Sequence, residues 1–136
     1  MNKLIDSHRI QRIKIGCIVL VLVAAMHAFR IGSYLEGAAY IFYYSYASDI
    51  VMPFAAYFLL CMYDFQVRFI RQWYVKALLV FSLTTITEVL QSFGYYVLGS
   101  TFDYVDIFMF AIGVISAVVF DIHIFRRLIK NWVLPN

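Results

Sequence analysis

Long apolar stretches alternate with short polar ones along the whole chain. Four stretches are close in length to the roughly 20 residues that a membrane-spanning helix needs. They lie near residues 13–31, 49–65, 74–97 and 104–126. The second is short and polar residues interrupt the third, but no linker rich in proline, serine or glycine separates the four. The pattern predicts an all-α fold, a four-helix bundle that forms a single transmembrane domain over residues 1–136.

The composition agrees with an integral membrane protein. Of the 136 residues, 64% are hydrophobic and 14% are charged, whereas a soluble domain has roughly 45–50% apolar and about 25% charged residues. The two cysteines, Cys17 and Cys61, lie inside apolar stretches without CxxC spacing, which gives no support to a disulfide framework or a metal site. No nucleic-acid motif accompanies the net charge of +3. We therefore expect the lipid bilayer, and not nucleic acid, to be the partner.

The basic residues predict the direction in which the helices cross the membrane. Lys and Arg concentrate in cytoplasmic loops, and ten of the 11 basic residues flank the same ends of the four predicted spans. These ten are Lys3, Arg9, Arg12, Lys14, Arg68, Arg71, Lys76, Arg126, Arg127 and Lys130. Only Arg30 lies on the other side. We expect both termini to be cytoplasmic and the chain to lie in the inner membrane, with the first stretch kept as an uncleaved span.

Tyrosines mark the opposite side. Eight of the 11 are predicted there, in keeping with the preference of tyrosine for membrane interfaces. They are Tyr34, Tyr40, Tyr43, Tyr44, Tyr46, Tyr95, Tyr96 and Tyr104. The stretch 33–49 contributes five of them and is too polar and aromatic for a fifth span. We interpret it as an aromatic interfacial helix or cap on the outer face.

Two features predict the structure of the basic side. Residues 121–132 are basic and amphipathic, and we interpret them as a solvated helix end, with an exit anchored at the membrane interface by Trp132 as the alternative. Asp64 and Arg68 are four residues apart, a helical spacing that predicts an ion pair at the interface. Both interpretations give these residues a structural role.

Polar side chains on one face of the third span are the strongest candidates for a site. The stripe consists of Thr84, Glu88, Gln91 and Tyr95, which recur every three or four residues. An ionised carboxylate in hydrocarbon costs several kcal/mol, so Glu88 is expected to be protonated, paired with a cation, or exposed to a water-filled cavity. A functional site and a structural polar clamp between helices both remain open for this stripe.

Three aspartates are predicted near Glu88. Asp103 and Asp106 begin the fourth span from the outer side, and Asp49 opens the second, where acids suit the helix dipole and can cap backbone N–H groups. For Asp49 and Asp103, capping is the preferred interpretation. Gly113 continues the face of Asp106, and its small size predicts a close contact between helices.

His27 and Arg30 are the cations available to Glu88. Counted from the predicted starts of their spans, His27 and Glu88 lie at similar depth, and Arg30 lies one turn further out. A pairing of Glu88 with either cation requires the first and third spans to be neighbours. Carboxylates also bind hard metal ions, but the spacing of these acids is not diagnostic of a metal site.

The second half of the chain resembles the VanZ-like family of small bacterial membrane proteins. TEVLQ (87–91) matches a Glu-x-x-Gln core, and FDYVDIFMFAIG (102–113) matches a Phe-Asp-x-x-Asp element that ends in glycine. The matching residues are Glu88, Gln91, Asp103, Asp106 and Gly113. Ser100 and Phe110 stand where the family usually has Arg and Asn. The resemblance implies a protein of the cytoplasmic membrane with a few spans, without implying a reaction.

These observations predict a small envelope protein that binds a polar lipid headgroup or amphiphile at its outer face. The candidate ligand-binding residues are Glu88, Gln91, Asp103, Asp106, Arg30 and His27. One alternative is a structural accessory subunit of a larger membrane complex, and another is a component of proton-coupled transport in which Glu88 changes charge. No nucleophile with a base and an orienting group can be assembled, so catalysis is not predicted, and no cofactor is identified.

Overall fold

Four long helices account for most of the computed structural model, which describes residues 2–95 and 103–133, with side chains from residue 6 onward. They are α1 (Asn2–Ala28), α2 (Gly37–Met62), α3 (Trp73–Ser92) and α4 (Tyr104–Val119). A π-helical segment, Phe120–Phe125, continues α4 into the single turn of α5, Arg126–Leu128. Short 3-10 turns at Ile31–Tyr34 and Arg68–Arg71 precede α2 and α3.

The predicted four-span, all-helical architecture is confirmed at the level of helix length and composition. Asp6–Ala28, Gly37–Met62, Trp73–Ser92 and Tyr104–Leu128 are each long and apolar enough to cross a membrane. Many large apolar side chains point away from the protein on these segments, for example Leu22, Leu78 and Ile115. A contiguous apolar surface of this kind is unfavourable in water and is matched by lipid.

The predicted start of the second span was wrong. No separate interfacial segment covers 33–49, because α2 begins at Gly37, twelve residues before position 49, and continues to Met62. No proline or glycine follows Gly37 until Pro53, so nothing in this stretch interrupts the helix. At 1.5 Å per residue α2 is about 39 Å long, more than the hydrocarbon core of about 30 Å. Its aromatic first half therefore extends beyond what a bilayer core requires.

Side-chain contacts show that the four helices run alternately up and down. Arg12 of α1, Asp64 after α2, Lys76 of α3 and Trp132 after α4 meet at one end, which we call the basic end. At the other end, the acidic end, His27 of α1 meets Ser48 of α2, and Glu88 of α3 meets Asp103 at the start of α4. Packing follows the order α1, α2, α4, α3 across the bundle.

The closest helix contact is between α2 and α4, as the small residues predict. Gly113 is buried, and a Cβ atom placed on it would clash with the backbone carbonyl of Ile50. Ala117, one turn further on, is also buried. Small residues allow this backbone-to-backbone approach. It brings the middle of α2 beside α4, and Asp49 immediately precedes the contact.

Candidate functional site

Four acidic side chains from three elements converge at the acidic end. The carboxylate of Asp106 lies within electrostatic range of Asp49, Glu88 and Asp103, and Asp49 lies within range of Glu88. Asp49 comes from α2, Glu88 from α3, and the other two from the start of α4. We call these four residues and Gln91 the acidic cluster. Neighbouring carboxylates repel one another when they are ionised, and a positive charge among them reduces that repulsion.

Glu88 joins two helices. Its side chain is buried, with 3% exposed, and Oε1 accepts a hydrogen bond of 2.9 Å from the backbone N–H of Asp103. That N–H belongs to the residue that precedes α4, where the helix itself offers no acceptor. Glu88 therefore contributes to the clamp between α3 and α4 and also faces the other acids.

The two capping predictions had different outcomes. Asp103 is the N-cap of α4, and its Oδ1 accepts a 2.9 Å hydrogen bond from the backbone N–H of Val105, so capping is confirmed there. Asp49 does not cap a helix, because α2 begins twelve residues earlier and places Asp49 in its interior. Asp49 is therefore an interior residue of α2 that contributes its carboxylate to the acidic cluster.

The side-chain oxygen of Gln91 has no hydrogen-bond donor among the described residues. The side chain is 7% exposed. A buried amide oxygen without a donor is uncommon and costs free energy. The other members of the predicted stripe do not share this situation, since Thr84 bonds to backbone carbonyls of its own helix and Tyr95 is exposed.

His27 and Arg30 are not brought to Glu88. His27 Nε2 lies 3.1 Å from Ser48 Oγ, and its Nδ1 lies 2.9 Å from the carbonyl oxygen of Val23. Arg30 is exposed in a left-handed turn with φ of 48°, and it forms no ion pair within the described part of the chain. The predicted pairing required α1 and α3 to be neighbours, but α1 packs mainly on α2.

A cavity of about 150 Å³ lies between α1 and α2, lined by Met26, His27, Arg30 and Tyr43 among others. None of the four acids lines this cavity. Across residues 6–95 and 103–133, no group of three or more His, Cys, Asp and Glu side chains is arranged to hold a metal ion. The acidic cluster therefore offers carboxylates and an amide as hydrogen-bond acceptors, with no cation in contact with Glu88 in the described segments.

The basic end holds a second buried polar network, which sequence reasoning missed. Asp64 is fully buried; Arg12 Nη1 forms an ion pair with its Oδ2, and Lys76 Nζ lies 3.0 and 3.1 Å from its two oxygens. Burial raises the pKa of the Asp64 carboxyl, and the charges of Lys76 and Arg12 oppose that rise. The predicted pair of Asp64 with Arg68 was wrong, because α2 ends at Met62 and the helical spacing does not continue into the loop.

Asp121 accepts from two neutral donors in the same network. Tyr57 donates its hydroxyl to Oδ2 at 2.6 Å, and Trp132 donates its indole N–H to Oδ1 at 2.7 Å. Arg12 Nη2 donates to the carbonyl oxygen of Trp132 at 2.9 Å, and the guanidinium lies 4.5 Å from the indole centroid. Lys76 Nζ lies 5.6 Å from the centroid of the Tyr57 ring and also contacts Asp64, so it connects the contacts of Asp121 with those of Asp64.

Trp132 is therefore a core residue and not an interfacial anchor. It is 1% exposed, because residues 129–133 fold back over the basic end as a C-terminal strap. Asn131 has φ of 65°, a left-handed conformation that asparagine tolerates better than most residues, and this turn returns the chain toward the bundle. Asp121 lies in the π-helical segment, so the change in helical register occurs where the strap is bound.

Comparison with protein families, with curated proteins and with solved structures finds no match for this chain. The resemblance to the VanZ-like family stays a prediction based on the residues quoted above. Of the positions that depart from the family pattern, Ser100 lies outside the described residues, and Phe110 is a buried side chain of α4.

Proposed function

We propose that this protein is a multi-pass membrane protein that binds the polar head of a lipid or other amphiphile at its acidic cluster. The observation that carries the proposal is the convergence of Asp49, Glu88, Asp103 and Asp106 next to the Gln91 oxygen, which has no hydrogen-bond partner among the described residues. Under this proposal the acidic end faces outward from the cytoplasmic membrane and the basic end faces the cytoplasm, as the basic residues predict. The VanZ-like resemblance agrees, because four of the five cluster residues are among those that match the family.

The chemistry of the acidic cluster indicates which kind of headgroup is complementary to it. Carboxylates and the Gln91 oxygen accept hydrogen bonds, so the complementary head is rich in donors. A protonated amine satisfies this requirement best, because a charge-assisted bond to a carboxylate is stronger than a neutral one and reduces the repulsion among the acids. A head whose only polar group is a phosphate is disfavoured.

The test compares an amine-bearing head with one that lacks the amine. Nanodiscs with phosphatidylethanolamine or phosphatidylglycerol receive the purified protein, and native mass spectrometry measures the lipid retained. We expect retention of phosphatidylethanolamine to fall about tenfold, equal to about 1.4 kcal/mol, in the Glu88→Gln/Asp106→Asn variant, while retention of phosphatidylglycerol stays unchanged.

The matched control is Glu36→Gln, which removes an exposed acid that precedes α2 and makes no side-chain capping bond. It should keep the preference of the wild type. If the Glu88→Gln/Asp106→Asn variant retains both lipids exactly as the wild type does, the acidic cluster is not a headgroup site.

A second function, that of an accessory subunit of a larger membrane complex, is favoured by the first half of α2. Tyr40, Ile41, Phe42 and Tyr44 are all exposed there, on a helix longer than a bilayer core needs. Exposed aromatic residues in a cluster are typical of protein interfaces. Extraction in mild detergent and a native gel separate the two functions: a larger assembly that Ile41→Asp/Phe42→Ala disrupts, and Glu88→Gln/Asp106→Asn does not, would identify docking through α2.

A further inference from the structure

A pocket of about 400 Å³ opens at the basic end, between the first part of α1 and the C-terminal strap. Its polar lining comes from His8 of α1, Arg126 and Arg127 of α5, and Lys130 of the strap. We call it the basic pocket. It lies at the opposite end of the bundle from the acidic cluster, so it is a separate feature of the molecule.

The cations of the basic pocket have no acidic partner among the described residues. Arg126, Arg127 and Lys130 are exposed, and within the described ranges none of them forms an ion pair. The lining contains no acidic residue. The two buried acids of this end are already engaged, Asp64 by Arg12 and Lys76, and Asp121 by Tyr57 and Trp132. The pocket therefore holds an excess of positive charge that an anion would complement.

His8 adds a further polar group. Its Nδ1 atom is buried and has no hydrogen-bond partner among the described residues. Two arginines can each hold a phosphate through paired N–H donors, and a lysine adds a compact charge. This donor set, without a competing carboxylate, fits a phosphate group better than a carboxylate-only or neutral ligand.

The remaining lining indicates that the anion carries an apolar part. Leu128 is 77% exposed and ends the last candidate span, and the exposed Val133 is the last residue of the strap. Cations beside exposed apolar side chains at the end of a span match the boundary between a phosphate headgroup and its acyl chains. A soluble anion would use the cations and leave these apolar walls without a partner.

We propose that the basic pocket binds the phosphate headgroup of an anionic phospholipid in the leaflet at the basic end. The phosphate lies among Arg126, Arg127 and Lys130, and the acyl chains follow the outer surface of Leu128. The bound lipid then holds the C-terminal strap against α1 from outside, while Asp121 and Arg12 hold it from inside.

The first measurement is lipid retention by native mass spectrometry in mixed phosphatidylglycerol and phosphatidylcholine nanodiscs. The variant R126Q/R127Q/K130Q should lose its preference for phosphatidylglycerol by at least tenfold. The matched control R9Q/K14Q/R68Q removes the same number of exposed positive charges outside the pocket and should lose less than threefold. Equal losses in the two variants would overturn the proposal, because general attraction between the membrane and the basic residues would then explain the preference.

The second measurement does not require the triple variant to fold. In a Trp73→Phe background, Trp132 is the remaining tryptophan, and it lines the pocket. Phosphatidylglycerol brominated near the glycerol should quench Trp132 at least twice as strongly as brominated phosphatidylcholine, and 50 mM inorganic phosphate should not reverse the quenching. Equal quenching by both lipids overturns the site, and full reversal by phosphate overturns its assignment to a lipid in favour of a free phosphate.

Discussion

Both ends of the bundle bury acidic side chains, but they do so under opposite conditions. At the basic end, Asp64 contacts two cations and Asp121 receives two neutral donors. At the acidic end, the charged groups within electrostatic range of Asp106 include three other acids. Within the described residues, Asp64 and Asp121 of the basic end have side-chain counter-ions or donors, whereas the acids of the acidic end form no ion pair and receive backbone N–H donors at Glu88 and Asp103. This difference separates a structural network from a candidate binding site more clearly than burial alone.

The contacts of Asp64 and Asp121 at the basic end also explain how the chain ends are held. The network joins α1, the connection between α2 and α3, α3 itself, and the C-terminal strap, so residues more than 100 positions apart in sequence share one set of polar contacts. Inside a bundle with little water, each of these groups would be costly to leave without its partner. The polar network is therefore expected to determine which helix ends meet.

The largest effect is expected from Asp64→Asn, which tests the basic end. The substitution leaves Arg12 and Lys76 buried without their counter-ion, and removal of one partner from a buried ion pair typically costs about 3–5 kcal/mol. The free energy of unfolding in SDS titrations, followed by circular dichroism, measures the loss. Glu36→Gln, at an exposed acid, should change it by less than about 0.5 kcal/mol. A loss below about 1 kcal/mol for Asp64→Asn would mean that the network does not stabilise the bundle.

A smaller loss is expected from Asp121→Asn. One asparagine oxygen can replace one carboxylate oxygen, but the amide nitrogen then faces the donor of Tyr57 or Trp132. An unsatisfied buried donor costs about 1–3 kcal/mol. In the Trp73→Phe background, the emission of Trp132 should shift to the red as the C-terminal strap loosens. The control Asp6→Asn alters an exposed acid of the same end and should leave the emission unchanged.

We expect Gly113→Ala to cause a similar loss of stability. This variant tests how the acidic end is assembled. The added methyl group clashes with the carbonyl of Ile50, and overpacking of this kind costs about 1–3 kcal/mol. Because the contact positions α2 against α4, we expect the variant to weaken headgroup retention as well as stability. Ile115→Ala, at an exposed position of the same helix, provides the comparison. Unchanged retention would show that the position of Asp49 does not depend on this contact.

The sequence predicted the helices themselves better than it predicted which helices pack against each other. Apolar length and the placement of basic residues are local properties, and they were sufficient for four alternating helices and for the acids at one end. The pairing of Asp64 with Arg12 and Lys76 depends on which helices pack together, and no periodicity within a single helix reports it. The same reason explains why His27 and Arg30 were assigned to Glu88, although α1 packs on α2.

Trp132 shows a different limit of the sequence pattern. Its position after a basic stretch is typical of an interfacial anchor. The residues directly before Trp132 do not indicate that its side chain is buried. The partner acid, Asp121, lies eleven residues earlier, inside a predicted helix, where an isolated acid among Ile and Phe was the one available indication. An acid in such a setting requires a partner, and the tryptophan N–H is one of the donors that the segment offers.

The smallest effect on stability is expected from Glu88→Gln, the counterpart of Asp64→Asn at the acidic end. Glutamine keeps the oxygen that accepts from the Asp103 N–H and removes one charge from a group of like charges. We therefore expect the free energy of unfolding to stay the same or rise by less than about 1 kcal/mol, while preferential headgroup retention falls. The same SDS titration measures both substitutions. A loss of more than about 2 kcal/mol for Glu88→Gln would show that the acidic cluster is a structural network like that of Asp64, and the distinction between the two ends would fail.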